Sequence, residues 1–113
     1  MNFIDTSIHS LASIVTEWSS TQPRVSKTYL FGSRVKNTHR DDSDLDVAVE
    51  LLNPWGKLGQ YCDWVELGVK LTETLGELLP VKLHLQQYEN ESETPIIHAG
   101  LLEASILVFS KEQ

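Results

Sequence analysis

Two short stretches hold the residues whose types and spacing could do chemistry. Leu30-Phe-Gly-Ser-Arg34 closes an apolar, aromatic run in a glycine turn, and Ser43-Asp-Leu-Asp-Val-Ala-Val49 follows after a ten-residue spacer between Ser33 and Asp44. In the second stretch Asp44 and Asp46 alternate with Leu45, Val47 and Val49. Strand side chains repeat every two residues, so the apolar set faces a core and both aspartates leave on the other side. Their Cα atoms then lie roughly 7 Å apart, since a strand rises ~3.3 Å per residue. Two carboxylates at that spacing can lean toward one divalent cation. Gly32 lets the backbone approach a ligand, Ser33 adds a hydroxyl where a helix can begin, and N–H groups at a helix start seat phosphate. Taken separately, a Gly-Ser turn and an Asp-x-Asp are ordinary turn and capping features. Their combination at this spacing is rare.

The strand, Gly-Ser, ten-residue spacer and Asp-x-Asp strand resemble the signature of the nucleotidyltransferase superfamily that includes DNA polymerase beta. The likeness is closest to its minimal members, which are often the antitoxins paired with a helical toxin of the HEPN type. Gly32, Ser33, Asp44 and Asp46 fall on the motif without gaps. The resemblance implies transfer of a nucleoside monophosphate, AMP from ATP above all, onto a hydroxyl with loss of pyrophosphate. Asp44 and Asp46 would then be catalytic and hold Mg²⁺, a cation that prefers oxygen ligands and is commonly shared between carboxylates and substrate phosphates. Gly32 and Ser33 would hold the β- and γ-phosphates, with Arg34 as a further candidate for the nucleotide.

The rest of the chain must position these groups. Apolar residues at Ile8, Leu11, Ala12, Ile14, Val15 and Trp18 are near helical spacing and predict a first helix over residues 5 to 20, capped at Asp5, Thr6 or Ser7. Val25 to Phe31 reads as a strand. The polar segment from Arg34 to Ser43 predicts a helical turn and then a loop. Asn53-Pro-Trp-Gly56 breaks the chain, and a long helix is expected from Leu58 to Leu79, stopped by Pro80. Trp64 reads as core, and so does Cys62, the one cysteine, which excludes an intrachain disulfide. Val81 to Gln86 alternates as a third strand, Pro95 opens a last short helix, and Ile106 to Phe109 is a final strand or apolar tail. This order predicts an α/β (α+β) domain, one unit over residues 1–113, with a small mixed sheet and helices on one face. Both aspartates would line the uncovered face, consistent with the palm-like core of the superfamily.

Composition narrows the partners. A net charge of −7 and a pI near 4.9 provide no basic footprint for long nucleic acid, which needs clustered Lys and Arg. The N-terminus lacks the pattern of a signal peptide and no run approaches the ~20 apolar residues of a membrane span, so the cytoplasm is expected. The sequence is compatible with a homo-oligomer. His9, His39 and His98 have no metal-ligand spacing and read as surface residues.

One element of the family pattern is missing. Active members usually carry a third acid on the next strand, expected here at position 82 or 84, where the sequence has Lys82 and His84. Three readings follow: His84 acts as the base; metal and nucleotide bind while transfer is slow; or the site is vestigial, with Lys82 replacing a metal charge. Two functions compete accordingly. One is an antitoxin-type transferase that modifies its helical partner. The other is a catalytically impaired nucleotide-binding or protein-interaction module that acts by contact alone.

Overall fold

The computed structural model of the chain describes residues 5–52 and 64–111. The Asn53–Gly56 break, Cys62 and the first turns of the long helix expected from Leu58 lie outside them. In the described residues the elements run α1 (Ile8–Ser20), β1 (Val25–Phe31), α2 (Ser33–Lys36), β2 (Leu45–Leu51), α3 (Trp64–Leu78), β3 (Leu83–Gln87), α4 (Pro95–Glu103) and β4 (Ser105–Ser110).

Local chemistry sets these bounds. Ser7 caps α1, its side chain accepting from the Ser10 N–H, so the cap falls on the last of the three expected residues. Beyond the cap, Leu11, Val15 and Trp18 turn their side chains inward at helical spacing and are buried. β1 keeps the span read from its sequence. β3 starts two residues later than the Val81 to Gln86 reading, because the chain leaves Pro80 in a bend before it reaches the sheet. The final apolar segment is a strand, not a tail.

The four strands form one mixed sheet in the order β3-β2-β1-β4. β1 is antiparallel to both β2 and β4, and β2 is parallel to β3. Parallel neighbours need a long crossover, which α3 supplies. The first part of the chain therefore provides the two inner strands, and the later part provides both edges. α1 and α3 lie on one face, where Leu30, Leu45, Val47 and Val49 meet Leu11, Val15, Trp18, Leu71 and Leu75 in one core. Two polar ties cross it: the Trp18 indole N–H donates to Thr74 at 3.1 Å, and the buried hydroxyls of Ser19 and Thr28 pair at 2.8 Å. Buried hydroxyls left unpaired would cost stability, so these ties also fix how α1 meets its neighbours.

Short α4 approaches the other face. Gly100 sits so near Phe31 that an added Cβ would lie 3.2 Å from the ring, and Lys36 of α2 pairs with Glu103 of α4 at 3.0 Å. No helix among the described residues is long and apolar enough to cross a membrane.

Candidate active site

The face opposite the main core carries Phe31, Asp46 and His84 side by side, because the register pairs Phe31 with Asp46 and Asp46 with His84. Gly32 follows Phe31 directly and has a φ of 81°, the left-handed region in which a side chain would be strained. Space gives a second reason for glycine there. A Cβ at this position would collide with the Asp46 Oδ2 atom. The Asp46 carboxylate thus rests against the bare Cα of the glycine turn, and the two motifs read from the sequence meet at that contact.

Ser33 opens α2, which has only four residues. So short a helix has little macrodipole, and any phosphate seat here depends on individual N–H groups and the Ser33 hydroxyl. Asp44 lies exposed in the last loop position before β2 begins at Leu45. Asp46, within the strand, keeps a quarter of its side chain exposed. Among the described residues no three His, Cys, Asp or Glu side chains converge as a ready-made metal cluster. Two carboxylates with phosphate oxygens still make a fitting donor set for a hard dication. The Gly32 cradle keeps Asp46 against the Gly-Ser turn.

Of the two positions considered for a third acid, 84 is the one beside Asp46. The His84 Nδ1 lies 3.1 Å from Asp46 Oδ1, with half of the imidazole side chain exposed. Lys82 precedes β3 and is exposed; its carbonyl accepts the Leu45 N–H at 2.8 Å.

Arg34, a further candidate for the nucleotide in the sequence, turns inward instead. It is 3% exposed, and its guanidinium donates to the Ser43 carbonyl at 3.1 and 3.0 Å and to the Asp41 carbonyl at 3.2 Å. The cation is engaged in holding the loop that delivers Asp44. Ser43 adds to the hold, its hydroxyl accepting the Arg40 N–H at 2.8 Å.

A second cluster on the same face was not foreseen. Tyr29 donates to Glu50 Oε2 at 3.3 Å and meets Tyr88 edge-on, ring centres 6.2 Å apart. Burial, reinforced by the Glu50 charge, pushes the Tyr29 hydroxyl up to about 12. Tyr88 stacks on His98 and its hydroxyl lies 2.8 Å from the His98 Nδ1. His98 is therefore a partly buried, bonded residue of α4 and not the surface histidine its sequence context suggested. His39, read the same way, is half-buried, and its shielded Nδ1 has no hydrogen-bond partner among the described residues. Neither pairing had a sequence signal, since each depends on how distant elements meet.

Comparison with known proteins agrees with this fold. A family model described as polymerase beta, nucleotidyltransferase matches residues 14–113. No curated protein matches the chain. Among solved structures, the fold is similar to that of a toxin-antitoxin with AMP-PNP, at a TM-score of 0.61 and 19% identity over 90% of this chain and 75% of that one. It is also similar to a mutant of the toxin-antitoxin MntA-HpeT, at a TM-score of 0.63 and 18% identity over 91% of this chain and 75% of that one. A second mutant of the same system aligns at a TM-score of 0.57 and 20% identity, over 99% and 76%. At such identities the likeness is one of fold.

Proposed function

The chain belongs to the polymerase beta nucleotidyltransferase family, and from that premise we propose that it transfers AMP from ATP to a hydroxyl on a partner protein, as the antitoxin-type subunit of a pair. The observation that carries this reading is the contact between Gly32 and the Asp46 carboxylate, which brings phosphate turn and metal-binding strand to one point. Asp44 and Asp46 hold a divalent cation, Mg²⁺ in the simplest case. That ion, when bound, neutralises phosphate charge and fixes the triphosphate for in-line attack. Gly32 and Ser33 seat the β- and γ-phosphates by backbone N–H groups and a hydroxyl. Arg34 acts one step removed, by anchoring the loop in front of Asp44. His84 stands where a third acid would be.

The partner follows from the same premise. Solved structures of similar fold are toxin-antitoxin assemblies, and the proposed partner is a toxin, of the helical HEPN type, with both proteins in the cytoplasm. An acidic domain approaches a more basic partner faster than a neutral one does. The absence of a carboxylate at position 84 favours a second reading, in which nucleotide and metal bind but the domain silences its partner by contact alone.

Transfer from α-labelled ATP separates the two. The chain is incubated with Mg²⁺ and a lysate of the source cell, with Asp46→Asn as control. A labelled protein band found only with the wild type supports transfer. No band, with cation-dependent ATP binding intact, supports the contact reading. Loss of both removes the nucleotide from the account.

A further inference from the structure

A histidine in place of the third acid alters which ion the site prefers. The His84 Nδ1 and the Asp46 Oδ1 are 3.1 Å apart. Adjacent corners of an octahedron with metal–ligand bonds of ~2.1 Å are separated by about 3.0 Å. The two donor atoms thus already stand at the spacing that one six-coordinate cation would impose. A cation held by both atoms would leave their separation nearly unchanged. The pairing is built into the sheet, since Asp46 and His84 are register partners on adjacent parallel strands. The exposed imidazole leaves the edge open to an ion from solvent.

Imidazole is a poor match for Mg²⁺, which takes oxygen donors and gives up water reluctantly. It is a good ligand for first-row transition metals, whose affinity for mixed nitrogen and oxygen sites rises from Mn²⁺ through Co²⁺. We infer that His84 is a metal ligand through Nδ1, and that the site takes a transition-metal dication of the Mn²⁺ or Co²⁺ type in preference to Mg²⁺. The inference rests on the transferase reading above for the presence of a metal site, and it replaces the base role considered for His84. Asp46 supplies the neighbouring oxygen, and Asp44 and a substrate's phosphates would complete the coordination.

The test uses the full chain with Mn²⁺ and inorganic triphosphate, a probe with no nitrogen of its own. Pulsed electron paramagnetic resonance reads nitrogen coupling to the bound ion. The wild type should show coupling to one imidazole nitrogen, and His84→Asp should lose it while still binding Mn²⁺. The preference for Mn²⁺ over Mg²⁺, from competition titrations, should fall by about tenfold or more in that variant. His84→Ala, with an unchanged circular dichroism spectrum, should weaken Mn²⁺ by a similar factor. Bound Mn²⁺ without nitrogen coupling would overturn the inference and leave the transferase reading intact. Failure of the wild type to bind Mn²⁺, with or without triphosphate, would overturn both.

Discussion

Gly32 carries two demands at once: a positive φ and a surface flush with the Asp46 carboxylate. Gly32→Ala meets neither. The strained backbone alone costs on the order of 1–3 kcal/mol, and the new methyl must also push Asp46 aside. We expect urea denaturation to show at least that loss, and equilibrium dialysis to show no nucleotide bound. A variant of normal stability and affinity would mean that the turn and the aspartate do not act together. Tyr29 supports a prediction about pH. Its folded value, about 12, lies above the ~10 of an unfolded tyrosine, so folding favours the protonated hydroxyl. The resulting stability is fully present below pH ~10 and is lost as pH rises through about 12. Because the ring is only partly buried, solvent screening reduces the effect to about 1 kcal/mol. Melts at pH 9 and above 11 should show that loss in the wild type and none of it in Tyr29→Phe.

Between residue and fold lies the loop that Arg34 organises. A guanidinium donating to the carbonyls of Asp41 and Ser43 fixes a segment with no regular structure of its own. Arg34→Met leaves those carbonyls unpaired beside an apolar chain, at a cost of about 1–3 kcal/mol. Amide exchange across residues 38–44 should speed up in the variant while exchange in β1 stays slow. Unchanged exchange in the loop would show that Arg34 does not anchor it. Elements with a strong period were legible from sequence. α1 declares itself because it buries one face, β1 because its apolar, aromatic run stops at Gly32, and Pro95 marks α4 because it fits only the first turn of a helix. Arg34 was misread for a physical reason. An arginine in a polar segment looks solvated until the segment folds back over it. The placement of α4 was equally hidden, since all nine of its residues remain at least partly exposed and no apolar stripe reveals which face it approaches.

At the scale of the whole molecule, the candidate site was legible where it is local and obscure where it is not. Gly32, Ser33, Asp44 and Asp46 lie within one hairpin-like unit, β1 to β2, so spacing alone could bring them together. His84 could be placed only by guessing the strand order, and the parallel pairing of β2 with β3 decided between it and Lys82. The Tyr29, Tyr88 and His98 cluster joins β1, the segment just after β3, and α4, which no periodicity connects.

The strand order has one more consequence. Both outer strands, β3 and β4, are contributed by the chain after residue 63, and they flank β2 and β1 from the chain before residue 53. The later half therefore grips the earlier half from two sides, and neither half can complete a sheet or bury the shared core by itself. A protein divided within residues 53–63 should yield two fragments that are each unstructured by circular dichroism and that regain helix and sheet on mixing. Either fragment folding alone would contradict this. The Gly-Ser turn and both aspartates would travel on one piece and His84 on the other. Reassembly would then restore the proposed metal site, and cation binding would report whatever brings the two halves together.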